Sequence, residues 1–217
     1  MRNSYREQLD QVTDGLVAMS RLAARGVQGA TVAVVRTDLV AAEAVIRGDV
    51  HVNDLYRSID ELALDLLARQ QPVASDLRML VTALRIATDL ERAGDYAVHI
   101  AKIARRRHPV PVLPEQVRGT VQEMGERAAS LTAEAGEVVS RRDLVLARQL
   151  LEGDDAVDAL HRRLFAVVLD DRHGFGVEEV VDITLVGRYY ERLADHAVAV
   201  SRAVSFLVTG EHSALTA

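Results

Sequence analysis

The octapeptide Glu91-Arg92-Ala93-Gly94-Asp95-Tyr96-Ala97-Val98 returns a hundred residues later as Glu191-Arg192-Leu193-Ala194-Asp195-His196-Ala197-Val198. Glu, Arg, Asp, Ala and Val keep their places in both copies. Residues four apart share one face of a helix, so each copy aims two carboxylates the same way. Like charges so placed weaken a helix unless something positive lies between them. A chain that repeats this arrangement at one period is constrained to bring two equivalent helices to equivalent places.

The apolar residues supply the rest of the plan. Leu9, Val12, Leu16, Met19 and Ala23 keep a helical period after Ser4-Tyr5-Arg6-Glu7, which fits a capping box. Gly26 and Gly29 bracket an expected kink or break, and a second run (Val32, Val35, Leu39, Ala42, Ile46) is expected to end at Gly48. Asp49 is expected to cap a helix striped with Val52, Leu55, Ile59, Leu62, Leu66 and Leu67. Pro72 stops it and suits the first turn of a long helix running to about Arg107, with Leu77, Leu80, Leu84, Ala87, Leu90 and Val98 inward.

Arg105-Arg106-Arg107-His108 reads as cations complementing that helix's C-terminus. Pro109, Pro111 and Pro114 then form a stiff connector. The second half repeats the plan: a helix from near Pro114, a short segment over Asp143–Leu151, a helix past Gly153-Asp154 to the breaker His173-Gly174-Phe175-Gly176, and a last long helix fading after Gly210. No run alternates between hairpin turns as strands do. The expected fold is all-α, two tandem three-helix bundles related by internal duplication, over residues 1–108 and 115–217 with the connector at 109–114.

Composition narrows the function. Hydrophobic content is 49% but aromatics only 4%, so the core is aliphatic and suits interdigitated helices. A net charge of −6 speaks against a nucleic-acid partner, which needs a basic face. With no Cys, disulfides and thiolate metal sites are excluded. The N-terminus has no apolar signal core, and no apolar run approaches the ~18–20 residues of a membrane span. The chain is expected to be soluble and cytoplasmic, peripheral to a membrane at most.

The acids converge. Asp49 and Asn53 match Asp154 and Asp158, each pair spaced i, i+4 like Glu91/Asp95 and Glu191/Asp195. Folding the first hairpin about Pro72 puts Asp49 and Asp95 each about 23 residues, or roughly 34 Å, from the turn. About Gly174, Asp154 and Asp195 lie about 20 and 21 residues out. Each repeat thus brings four oxygen-bearing side chains to one height, and helices about 8–10 Å apart leave room for a cation between them. Such acids ordinarily pair with neighbouring arginines, here Arg92 and Arg192, but four matched pairs favour metal. Oxygen ligands select hard or borderline cations such as Fe, Mn, Mg or Ca. His99 and His196, which do not recur, read as structural or solvated histidines.

At these residues the chain resembles the PhoU family of phosphate-system accessory and regulatory proteins. The matching motifs are Asp49-Val50-His51-Val52-Asn53, Glu91–Asp95, Asp154–Asp158 and Glu191–Asp195, with Gln71-Pro72-Val73-Ala74-Ser75-Asp76-Leu77-Arg78 similar to the family's loop into its first long helix. The ending Ala101–His108 is similar to actinobacterial members. The resemblance implies divalent or trivalent metal ions (Fe, Mn, Mg or Zn) at these motifs. It also implies repression of the phosphate-starvation response through the phosphate ABC transporter and its histidine kinase, and a homo-oligomer, expected to be a dimer. Two departures stand out: Asn53 replaces an acid, and Asp76-Leu77-Arg78 meets Gly176-Val177-Glu178 in repeat two. A ferritin-like carboxylate oxidase would need Glu-x-x-His on two helices, which this chain lacks. Without a Gly-rich phosphate loop or a nucleophile context, no enzymatic activity is expected. A helical adaptor whose acids are only a solvated face is the remaining alternative.

Overall fold

The structure, a computed structural model, describes residues 2–211. Among them are six α-helices and no strand: α1 (Arg2–Arg36), α2 (Leu39–Gln70), α3 (Ala74–Arg107), α4 (Glu115–Arg141), α5 (Leu144–Val168) and α6 (Val177–Thr209). A short 3-10 turn, Asp171–His173, lies between α5 and α6. Helices α1, α3, α4 and α6 pack on one another at the centre, while α2 lies against α1 and α3 and α5 against α4 and α6. The expected pair of three-helix bundles is therefore present, fused through one continuous core.

Duplication is written in the burial pattern. Val12, Leu16, Met19, Ala23, Val27, Ala30 and Val34 of α1 are buried, as are Val117, Val121, Met124, Ala128, Thr132, Ala135 and Val139 at the matching places in α4. The two helices approach closely through reciprocal contacts. Ser20 packs on Gly136 and donates a hydrogen bond to the Thr132 carbonyl at 2.6 Å, while Thr31 packs on Gly125. Ser20 and Gly125 occupy matching positions in the repeats, as do Thr31 and Gly136, so one hydroxyl-into-glycine contact is made twice about a pseudo-twofold axis. Tyr190 of α6, fully buried, shares a 2.8 Å hydrogen bond with the Thr31 hydroxyl and ties α6 to α1 across the repeats.

Several expected boundaries fall elsewhere. Helix α1 already runs at Ser4, so Ser4 is not its cap, and it passes Gly26 and Gly29 unbroken. Helix α2 likewise passes Gly48, and the residue that caps it is Asp38, whose Oδ1 accepts from the Ala41 N–H at 3.0 Å. Asp143 does the same for α5, which continues past Gly153 instead of splitting near Leu151. Glycine costs about 1 kcal/mol inside a helix, a penalty that tertiary packing overrides here. Gly29 and Gly153 mark close approaches instead of breaks: an added Cβ would come within 2.7 Å of Val45 and 2.6 Å of Leu131.

Continuity of α1 also shifts its stripe. Val32 is 37% exposed, and Ala30, Ala33 and Val34 face the core in its place, while Leu39, the first residue of α2, is also 37% exposed. Leu77, in the opening turn of α3, is exposed too. Pro72 stands just outside α3, after Gln71 ends α2 in a left-handed conformation. The arginine run does more than complement a helix end: Arg105 meets Glu43 at 3.4 Å, Arg106 grips the buried Asp182, and Arg107 pairs with Glu178 and Asp182 of α6.

Candidate metal centres

Because α2 and α5 are continuous, Asp49/Asn53 and Asp154/Asp158 lie well inside helices, facing the acid pairs of α3 and α6. In repeat one, Asn53 donates to the Asp49 carboxylate at 2.7 Å. The Asp49 carboxyl is pushed up from its ordinary range by burial first and by Asp95 second, partly offset by Asn53 and Lys102. Glu91 is pushed up by burial and by Asp95, with Arg92 and His196 acting the other way. Asp49, Glu91 and Asp95 therefore feel one another across the α2–α3 seam.

Repeat two concentrates the effect. Burial, then Asp158, Asp195 and Asp155, push the Asp154 carboxyl up to about 6 against the pull of Arg202. Its Oδ1 is buried without a hydrogen-bond partner. Asp158 is an acid where repeat one has Asn53, so Asp154 gains a repulsive neighbour where Asp49 gains a donor. Lys102 and Arg202, the cations that moderate the two clusters, again hold matching positions.

Arginines hold the outer acids. Arg92 meets Asp95 at 3.3 Å and Glu91 at 3.7 Å, Arg192 meets Asp195 at 3.2 Å, and Arg188 pairs with Glu191. With these pairs made, no three His, Asp or Glu side chains among the described residues stand in an arrangement that could hold one ion. A hard cation nonetheless suits the donor set. Such ions take carboxylate and amide oxygens, and the crowded Asp154 Oδ1 has no hydrogen-bond partner. Asp49, Asn53, Glu91 and Asp95 would form one site and Asp154, Asp158, Glu191 and Asp195 the other, once the arginines let go.

Sequence reasoning did not find what lies between the clusters. His196 Nδ1 is 2.9 Å from Asp89 Oδ1, and its ring stacks on Tyr96 at 5.7 Å between centroids. Tyr96 also stacks on Tyr189 at 5.8 Å, and His99 tilts against Tyr189 at 5.3 Å. The signal was available, since Asp89 matches Tyr189 and Tyr96 matches His196 in the repeat, but only an antiparallel α3–α6 contact makes these positions meet. Arg78 is likewise explained within the fold. Its guanidinium lies over the Phe206 ring at 5.7 Å, reaches the Leu207 carbonyl at 3.5 Å, and so complements the C-terminus of α6.

Comparison with known proteins agrees with this architecture. A family model described as the PhoU domain matches twice, over residues 16–104 and 121–204. A "Phosphate-specific transport system accessory protein PhoU homolog 2" from Mycobacterium tuberculosis is 47% identical over 210 residues, covering 97% of this chain and 99% of the relative. A homolog 1 from the same species is 43% identical over 97% of this chain and 95% of its own. The crystal structure of PhoU from Pseudomonas aeruginosa superposes with a TM-score of 0.84 at 30% identity, covering 95% of this chain and all of that one. That of the phosphate transport system regulatory protein PhoU from Streptococcus pneumoniae gives 0.85 at 22% identity, a likeness of fold.

Proposed function

The chain belongs to the PhoU family, and on that footing we propose that it is an accessory regulator of phosphate transport whose two acidic clusters bind metal ions. The relatives' names place them with a phosphate-specific transport system. We carry that role to this chain as repression of phosphate uptake and starvation signalling, exerted in the cytoplasm on the phosphate ABC transporter and its histidine kinase. A homodimer and a functional division at residues 109–114 belong to the same proposal. No described helix is long and apolar enough to cross a membrane, which suits a peripheral partner of a membrane transporter. Regulation by contact needs no catalytic residue, and none is assigned.

The observation that supports metal binding is the crowding of Asp154 by Asp158 and Asp195 with one buried oxygen unpartnered. A bound cation would supply the missing positive charge and draw α5 toward α6. Fe, Mn, Mg and Zn are the candidate ions. Metal analysis of protein purified without added metal or chelator, followed by chelation and calorimetry, tests this. Metal should be present, and its removal should lower Tm while helix content near room temperature persists, because the core is aliphatic and continuous. The second reading, a metal-free helical adaptor, draws on the arginine pairs with Glu91, Asp95, Glu191 and Asp195. Protein that holds no metal and whose Tm ignores both chelator and added cations would decide for the adaptor.

A further inference from the structure

The two repeats differ at one place where pseudo-symmetry makes the difference measurable. Between α1 and α2 lies a cavity of about 290 Å³, walled by Leu22, Gly26, Ala41, Val45, Gly48 and Val52 and reaching Asp49 and Gly94. Three of the matching positions in repeat two carry leucine. Leu131 stands where repeat one has Gly26, Leu146 where it has Ala41, and Leu150 where it has Val45. Leu131 is buried and packs so tightly on Gly153 that a Cβ there would fall 2.6 Å from it. Repeat one has no such plug.

Two of its glycines are not demanded by packing. A Cβ on Gly48 would meet nothing within 4 Å, and one on Gly26 only the Ala97 methyl at an ordinary 3.6 Å. Each glycine costs a helix about 1 kcal/mol relative to alanine. Gly29, Gly125 and Gly136, by contrast, are forced by close neighbours. Two interior helical glycines with room for a side chain, facing one cavity, keep space open at the expense of stability.

The wall is aliphatic except at identifiable points. Arg25 and His51 are exposed at the mouth, where water screens them. Asp49 is half-buried, with Oδ1 reaching to 3.6 Å from the Cβ position of Gly94 on α3. Its charged neighbours are Asp95 and Glu91, both acids, and Lys102. An apolar ligand with a cationic head would bury its body against the aliphatic wall and set a second positive charge beside Asp49, whereas an anion would face three carboxylates against Lys102.

We propose that the α1–α2 cavity of repeat one is a binding site for a small aliphatic ligand bearing an ammonium-type head, seated between Gly26 and Gly48 with its head at Asp49. The cavity volume lies at the lower end of small-molecule sites, about 300 Å³ and upward. Nothing in this inference requires metal at the acidic clusters.

The test uses the full chain dialysed against chelator, with methyl NMR reporting titrations of n-hexylamine, hexanoate and hexanol. Hexylamine should shift the methyls of Leu22, Val45 and Val52 saturably, with hexanoate at least about tenfold weaker and hexanol between them. Gly26→Leu, which restores the plug of repeat two, should abolish these shifts without lowering Tm. If Gly26→Leu melts early, Gly48→Leu fills the same space from the opposite wall and must also abolish binding. Absence of saturable shifts, equal binding of hexanoate, or binding that survives the folded plugged variant would each overturn the proposal. Added metal ions provide a separate measurement, so loss of the metal reading would leave the hexylamine result standing.

Discussion

His196 of α6 reaches across to Asp89 of α3, Nδ1 to Oδ1 at 2.9 Å, and joins the two acidic motifs through the stack formed by Tyr96 and Tyr189. Both partners are largely shielded, with 19% and 23% of their side chains exposed. The contact lies between the repeats, so it binds one half of the duplication to the other. His196→Ala should destabilise by about 1–2 kcal/mol, from a lost hydrogen bond and lost ring packing. Asp89→Asn should cost less, and the double variant should fall short of the sum by about 0.5 kcal/mol or more. Urea unfolding of the four proteins measures the cycle. Additive costs would mean that the two side chains act independently.

At the C-terminal end of α3, Arg106 and Arg107 hold Asp182 of α6, which is 1% exposed. Truncating Asp182 leaves Arg107, only 14% exposed, with the exposed Glu178 as its remaining partner. Asp182→Ala should therefore cost about 3 kcal/mol. Arg106 donates to Oδ1 of Asp182, whose Oδ2 has no hydrogen-bond partner, so Arg106→Ala leaves a buried carboxylate held only by Arg107 at 3.6 Å and should cost about 3 kcal/mol as well, although Arg106 itself is 60% exposed. The urea midpoints of the two variants check the argument, and a loss below about 1 kcal/mol from either would overturn it.

Much of this fold was legible because duplication left the same signal twice. Glu91–Asp95 and Glu191–Asp195 located the facing helices, and Pro72 and Gly174 located the turns well enough to level the acids. Glycine misled where it marks approach instead of interruption: Gly29 and Gly153 sit inside unbroken helices, against Val45 and Leu131. Local propensity cannot distinguish these roles, since the deciding neighbour lies on another helix. For the same reason the pairs Arg106–Asp182 and His196–Asp89 were illegible, although each partner is visible in the chain. At the acidic clusters, spacing gave the convergence of Asp49 with Asp95 and of Asp154 with Asp195, but not the grip of Arg188 on Glu191.

The α1–α4 seam offers a test of the shared core. Gly125 faces Thr31 and Gly136 faces Ser20, and an added methyl at either would strike the facing hydroxyl. Thr31 is also fixed by its bonds to Tyr190 and the Val27 carbonyl, each at 2.8 Å, so it cannot turn away without breaking them. Gly125→Ala should cost about 1–3 kcal/mol despite its gain in helix propensity. One unfolding transition should persist, because a single core spans both repeats. A calorimetric trace splitting into two would show repeats that unfold separately.

The last prediction concerns pH. The Asp154 carboxyl is pushed up to about 6 in the folded protein, by burial first and by Asp158, Asp195 and Asp155 after it. In the unfolded chain it titrates near the ordinary aspartate value of about 3.9. The folded state therefore holds a proton that the unfolded state releases, and folding stability falls as pH rises between about 4 and about 6. Above that window the penalty is fully present, and below it the penalty vanishes. Solvent screening of the half-exposed side chain limits its size to roughly 1 kcal/mol. In chelator-treated protein, Asp154→Asn should thus be more stable than the unsubstituted chain at pH 7.5 and equal to it near pH 4. On the proposed metal binding, a cation should reverse the ordering, because it favours the charged carboxylate that the substitution removes. With saturating metal at pH 7.5 the unsubstituted chain should gain Tm and the variant should gain less. Denaturation across pH 4–8, with and without metal, reads both effects: a variant never more stable at high pH would contradict the crowding of Asp154, and equal metal gains would remove it from the ligand set.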